Sequence, residues 1–133
     1  MKAIRIHQNG GPDVLRYEDV ELAPPARGEV RVRHTAVGVN FIDTYHRSGL
    51  YKLPLPTGLG SEAAGVVEEL GEGVVTLKKG DRVAYAGAIG AYAEANTVPA
   101  DKLVKLPANV SDDVAAAALL KGMTVQYLLT RTY

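Results

Sequence analysis

The chain has no cysteine, no tryptophan and a single phenylalanine in 133 residues. Missing thiols exclude disulfides, thiolate catalysis and cysteine-ligated zinc. An excess of either charge is missing as well: 15 Lys and Arg against 15 Asp and Glu leave a formal net charge of zero. No basic run exceeds a pair, so a nucleic-acid partner is not expected, because phosphate binding needs concentrated positive charge. No apolar run approaches the roughly 18 residues needed to span a membrane. The start, Met1-Lys2-Ala3-Ile4-Arg5-Ile6-His7, is too short and too polar for a signal peptide. A cytoplasmic protein is expected, and Asn109-Val110-Ser111 is then a chance glycosylation sequon. Only His7, His34 and His46 exist, and no pair of them has metal-ligand spacing, so a bound catalytic zinc is not expected.

What is present suits one domain with a real core, since 47% of residues are hydrophobic and 23% charged. Lys2 to His7 reads as a strand with Ile4 and Ile6 on one face. Asn9-Gly10-Gly11-Pro12 is a turn, Val14 to Val20 a returning strand, and Ala23 to Gly28 a loop. Glu29 to Val39 is the clearest strand, Val30 and Val32 facing one way, Arg31 and Arg33 the other. The pattern then changes. Phe41 and Tyr45 lie four apart, which predicts a short helix over Asn40 to Ser48, capped by Asn40 and closed at Gly49. Pro54 and Pro56 enforce an extended loop. Strands follow over Ala64 to Leu70, Arg82 to Ala86, Ala91 to Val98 and Lys102 to Leu106. Ser111-Asp112-Asp113 starts a helix, with a hydroxyl cap and two carboxylates at its positive end. Gly122 interrupts it, and Val125, Leu128, Leu129 and Thr132 mark a second helix. Many short strands followed by helices predict a mainly β fold, a compact barrel with helical attachments.

Gly58-Leu59-Gly60-Ser61-Glu62-Ala63 matches G-x-G-x-x-G/A literally. A dinucleotide-binding loop needs a strand before it and a helix after it. Here Pro54 and Pro56 precede it and Val66-Val67 follow, so the glycines serve a sharp turn. Glu62, a carboxylate among small residues, has two open readings: support of a nearby site, or an ion pair with Arg47 or Arg82. Gly80-Asp81-Arg82-Val83 is a turn that starts a strand. His46 is expected to be an exposed polar residue and His34 partly buried. Asn40, Tyr45 and Tyr51 fall on one helix and the loop after it. An amide and two neutral hydroxyls there could line a pocket for an aromatic ring and its carbonyl; alternatively the rings pack on the barrel and the hydroxyls reach solvent.

Taken together, Gly38-Val39-Asn40-Phe41-Ile42-Asp43, Arg47-Ser48-Gly49-Leu50-Tyr51, Gly58 to Gly65, Gly80-Asp81-Arg82-Val83 and Leu120-Lys121-Gly122-Met123-Thr124-Val125 resemble the medium-chain dehydrogenase/reductase superfamily. Within it they are similar to the zinc-independent, zeta-crystallin-like NADPH:quinone oxidoreductase branch, over nearly the whole chain. The resemblance implies a GroES-like, partly open β-barrel at residues 1–110 and a helical segment at 111–133 leading toward a nucleotide-binding domain. Zinc-using relatives in the superfamily carry Cys where Asn40 stands and His where Ser61 stands. The resemblance further implies hydride or electron transfer from NADPH to a quinone or related enone. Asn40, Phe41, Ile42, Tyr45 and Thr124 would approach the nicotinamide, and Tyr45 and Tyr51 the quinone; Asn40, Tyr45 and Tyr51 are the catalytic candidates. Family members are expected to be homodimers. The competing expectation is a non-catalytic GroES-like module that binds a partner through its open edge. The resemblance places the Gly-rich pyrophosphate loop of the family's Rossmann domain beyond these residues. The 133-residue chain by itself should therefore bind NADPH weakly or not at all, and an exposed strand edge or apolar patch is expected. Fluorescence titration of the purified chain with NADPH should show no saturation in the micromolar range; a saturable micromolar isotherm contradicts this.

Overall fold

The computed structural model describes residues 1–132. Its elements, in chain order, are β1 (Lys2–Ile6), β2 (Arg16–Asp19), β3 (Glu29–Gly38), α1 (Phe41–Ser48), β4 (Thr57–Gly58), β5 (Glu62–Leu70), β6 (Arg82–Ala86), β7 (Ala95–Pro99), β8 (Leu103–Lys105) and α2 (Asp112–Arg131). They form a three-stranded sheet, β2-β1-β4, and a five-stranded sheet, β7-β3-β5-β6-β8, antiparallel throughout. The two sheets do not merge into a closed barrel. Among the described residues no helix is long and apolar enough to cross a membrane.

The period-2 pattern of β3 explains its central place. Val30 and Val32 are fully buried and pack with Val67, Leu77 and Val83, while Arg31 crosses the outer face to Glu69 at 2.7 Å. Register shifts against β5 fall between Arg31 and Val32 and between His34 and Ala36, which add the local twist that bulges bring. A second cluster gathers Tyr85, Ala63, Ala91 and Val98. Ile6, Val14 and Leu59 fill the space beneath the smaller sheet. α2 lies on the large sheet through Ala115 and Ala116, which meet Ala64 and Ala84. Alanine on both sides lets helix and sheet backbones come close.

The structure adjusts several expectations. Gly122 does not divide the final segment: α2 runs unbroken from Asp112 to Arg131. One helical glycine costs about 1 kcal/mol relative to alanine, and the alanine- and leucine-rich flanks carry the helix through it. The residue that ends the expected 111–133 segment, Tyr133, lies outside the described residues. The returning strand is shorter than Val14 to Val20, because Pro12–Val14 form a 3-10 turn first. The strand expected from Ala91 begins at Ala95, since the N–H groups of Ala91 and Tyr92 bond the carbonyls of Gly60 and Leu59. The strand at Lys102 to Leu106 reduces to Leu103–Lys105 after a second 3-10 turn. The expected apolar patch lies on α2, where Met123, Val125, Tyr127, Leu128 and Leu129 are exposed.

Helix α2 is held at its start by charge. Ser111 Oγ accepts the Val114 N–H at 3.3 Å. Arg82 donates to Asp112 at 3.0 and 2.6 Å and to the Val110 carbonyl at 2.6 Å. The Thr35 hydroxyl donates to Asp112 at 2.6 Å. Thr35 above all, then Arg82, holds the Asp112 carboxyl below the usual carboxylate range.

Inside the sheet, a polar chain crosses three strands. Asn96 Nδ2 donates to the Tyr85 hydroxyl at 3.2 Å, and that hydroxyl meets His34 Nε2 at 3.0 Å. His34 Nδ1 lies 2.7 Å from the Ala93 carbonyl. A carbonyl only accepts, so Nδ1 carries the proton and Nε2 accepts from Tyr85. Burial pushes the Tyr85 hydroxyl up to about 12 and lowers the pKa of His34. The folded state thus favours neutral His34. Stability from this group is present above the ordinary histidine value of 6.5 and is lost as pH falls through the depressed folded value. Urea midpoints should therefore drop between about pH 7 and about pH 5. His34→Gln should flatten that slope, and an equal slope in wild type and variant would contradict the assignment.

Candidate functional site

The strand-to-helix transition at Asn40 and the turn at Gly58 to Ser61 meet under α2. Asn40 occupies the N-cap position of α1, and Asp43 Oδ2 accepts its backbone N–H at 2.9 Å. Gly49 closes the helix, its N–H bonded to the carbonyls of Tyr45 and His46. Gly60 sits at φ +85°, and a Cβ there would run into the ring of Tyr92. Only glycine combines that backbone with that approach. The turn thereby sets Ser61 and Glu62 beside α1.

Two buried carboxylates organise the floor. Asp43 accepts from Ser61 Oγ at 3.0 Å and from the Tyr92 hydroxyl at 2.7 Å, besides the Asn40 N–H. All three donors are neutral, and the first turn of α1 adds favourable dipoles. Burial first, and Asp43 beside it second, push the Tyr92 hydroxyl well above its ordinary range. Glu62 is fully buried. Its Oε2 accepts from Asn40 Nδ2 at 2.9 Å and its Oε1 from the Leu120 N–H of α2 at 2.6 Å. Lys121 Nζ lies 3.7 Å from Glu62 and donates to Asn40 Oδ1 at 2.9 Å. Glu62 therefore pairs with neither Arg47 nor Arg82. Arg47 bonds the Gly10 carbonyl and Arg82 serves Asp112. The signal for Lys121 as the partner was faint in the sequence: a single cation in an otherwise uncharged helix stretch.

Above this floor stands an aromatic row. The rings of Phe41 and Tyr45 meet edge to face at 5.5 Å, and those of Tyr45 and Tyr51 at 5.4 Å. Phe41 is 75% and Tyr51 52% exposed, a large apolar surface left open to a flat partner. Ile42 is half-buried on α1. Thr124 lies one turn beyond Lys121 on α2, its hydroxyl donating to the Leu120 carbonyl at 3.0 Å. Thus Asn40 joins Glu62 and Lys121, Tyr45 joins Phe41 and Tyr51, and Thr124 stays within its own helix. His46 departs from expectation: it is buried, not exposed, with its ring 6.2 Å from that of Tyr51 and Nδ1 without a partner. It faces the fold because α1 turns that side toward Asn9, whose amide bonds the His46 carbonyl. Among the described residues no group of three His, Asp or Glu side chains converges.

The profile of the alcohol dehydrogenase GroES-like domain matches residues 26–108. The chain belongs to this family. It is 55% identical to the quinone oxidoreductase of Pseudomonas aeruginosa over 99% of its own length and 41% of that protein. It is 48% identical to a 2-haloacrylate reductase from a Burkholderia species, covering 96% of the chain and 40% of that relative. The crystal structure of Escherichia coli quinone oxidoreductase complexed with NADPH superposes with a TM-score of 0.98 at 52% identity, over 100% of the chain and 41% of that structure. The chain thus spans about two fifths of the length of these relatives.

Tyr92→Phe should test the floor. It removes one of three donors to a buried carboxylate, a bond to a charged group worth about 1.5–3 kcal/mol. Urea unfolding should show a loss of that size, and an unchanged midpoint would remove Tyr92 from the support of Asp43.

Proposed function

We propose that this chain is the catalytic-domain portion of an NADPH-dependent quinone oxidoreductase that works without zinc. The observation that carries the reading is the match above 50% identity, over nearly every residue, to proteins named quinone oxidoreductase, one of them crystallised with NADPH. The site chemistry agrees with it. The residues present fit the nicotinamide end of such a cofactor. Asn40 offers an amide held in place with one N–H to spare, Phe41 and Ile42 an apolar edge, Tyr45 a ring, and Thr124 a polar contact from α2.

When bound, the nicotinamide supplies the hydride, so no side chain need act as a nucleophile. The chain's own contribution is orientation and electrostatics. Tyr45 and Tyr51 set a surface against which a flat quinone or enone ring lies. The Tyr51 hydroxyl donates to the substrate oxygen as negative charge grows on it. A quinone gains aromaticity on reduction, which lessens the need for a Lewis acid such as zinc. Support for the zinc-free reading comes from Asn40 and Ser61, neither of them a usual zinc ligand and both already engaged, Asn40 by Glu62 and Lys121 and Ser61 by Asp43. The 2-haloacrylate reductase among the relatives keeps activated alkenes within the proposed substrate range.

A second reading is a non-catalytic GroES-like module that docks a partner protein. The exposed apolar side of α2, with Met123, Leu128 and Leu129, favours it. Turnover separates the two. In the enzyme that carries this sequence, Tyr51→Phe should lower kcat/KM for the quinone about ten-fold, the worth of one hydrogen bond. Tyr45→Ala should raise KM several-fold with the fold intact by circular dichroism. Unchanged kinetics in both variants would take these residues out of the pocket.

A further inference from the structure

The side-chain amide of Asn40 is gripped at both ends by charge. Nδ2 donates to Glu62 Oε2 and Oδ1 accepts from Lys121 Nζ, each at 2.9 Å. Turning the amide over would set oxygen against a carboxylate and N–H against an ammonium, exchanging two charge-assisted hydrogen bonds for two repulsions. One orientation remains. Nδ2 carries two hydrogens and Glu62 takes one, so the second is the donor Asn40 can offer a ligand. Glu62 is fixed in turn. It is fully buried, and its other oxygen holds the Leu120 N–H at 2.6 Å. Leu120 and Lys121 are neighbours on α2, so a single turn of that helix grips both Glu62 and Asn40.

We propose that Glu62 and Lys121 are positioning residues for the hydride-transfer site: together they fix which way the Asn40 amide faces and tie that orientation to α2. The proposal rests on the reading that Asn40 meets the nicotinamide. Lys121 is the informative member to change, because its side chain is 56% exposed and removing it opens no core. Its loss removes the ammonium that donates to Asn40 Oδ1 and the cation beside Glu62. The amide then loses half of the penalty against turning over, and only the Glu62 carboxylate still opposes it.

Two measurements decide it. In the 15N-labelled 133-residue chain, the Asn40 side-chain amide should show one proton shifted downfield and slow exchange with water. Lys121→Met should weaken both signatures, moving the proton upfield and speeding its exchange, while the backbone amides of β3 and β5 keep their shifts. Lys121→Arg should restore them in part, since it returns a donor and a positive charge. A wild-type amide exchanging like a free asparagine, or one indifferent to Lys121→Met, overturns the proposal. In the complete enzyme, Lys121→Met should lower kcat about ten-fold, short of the roughly 100-fold loss that misplacing a reacting group by about 1 Å brings, with KM for the quinone nearly unchanged. Unaltered kcat overturns the catalytic part of the proposal. Absence of quinone turnover in the wild type as well would instead remove the functional reading, and the amide signals would still decide the positioning role.

Discussion

The fold is arranged around the burial of one carboxylate. Glu62 has no exposed surface, and a carboxylate taken out of water costs several kcal/mol unless its oxygens find donors. Those donors come from two places distant in the chain: Asn40 at the cap of α1 and the Leu120–Lys121 turn of α2. Satisfying Glu62 therefore fixes the distance between β5, α1 and α2 together. The close packing follows from the same demand. A side chain at Gly38 would collide with the Glu62 carboxylate and the Ala116 carbonyl. Ala64, Ala84, Ala115 and Ala116 form the helix–sheet contact with the least bulk available. Small residues are here the means of bringing a helix backbone within hydrogen-bond reach of a strand side chain.

Asp43 shows the complementary solution. It too is buried, but it takes only neutral donors, from Ser61, Tyr92 and the Asn40 backbone. Among the described residues no cation forms an ion pair with it. One residue, Asn40, thus serves both carboxylates: its backbone N–H goes to Asp43 and its side-chain N–H to Glu62. The two anions are separated in role by that division. Asp43 holds the turn at Gly60-Ser61 against α1, and Glu62 holds α1 and β5 against α2.

Much of this was legible in the sequence where it depended on local periodicity. β3, β6 and α1 stand where alternation and the Phe41–Tyr45 spacing put them. The turn chemistry at Gly58 to Ser61 correctly argued against a phosphate loop, since Glu62 begins a strand. Readings failed where long-range partners decide. Nothing near Glu62 in sequence points to Lys121, 59 positions on, so the arginines were the visible candidates. His46 looked exposed because helix spacing in α1 is too short to define an inner face; Asn9, from a distant turn, supplies it. Gly122 reads as a break by helix propensity alone, which takes no account of the sheet that anchors the helix start. The strand at Ala91 was overextended because the backbone of Ala91 and Tyr92 is claimed by Gly60 and Leu59, which periodicity does not reveal.

The division of α2 follows from the same geometry. Up to Leu120 the helix is tied to the sheet by Arg82 and Thr35 at Asp112, by alanine packing, and by Glu62. Beyond Lys121 every described residue is exposed, Met123, Val125, Tyr127, Leu128 and Leu129 among them. The last tether is therefore the one that also grips Asn40. A force applied to the free half of α2 reaches the sheet first through the Leu120–Lys121 turn, and so through Glu62 and the amide.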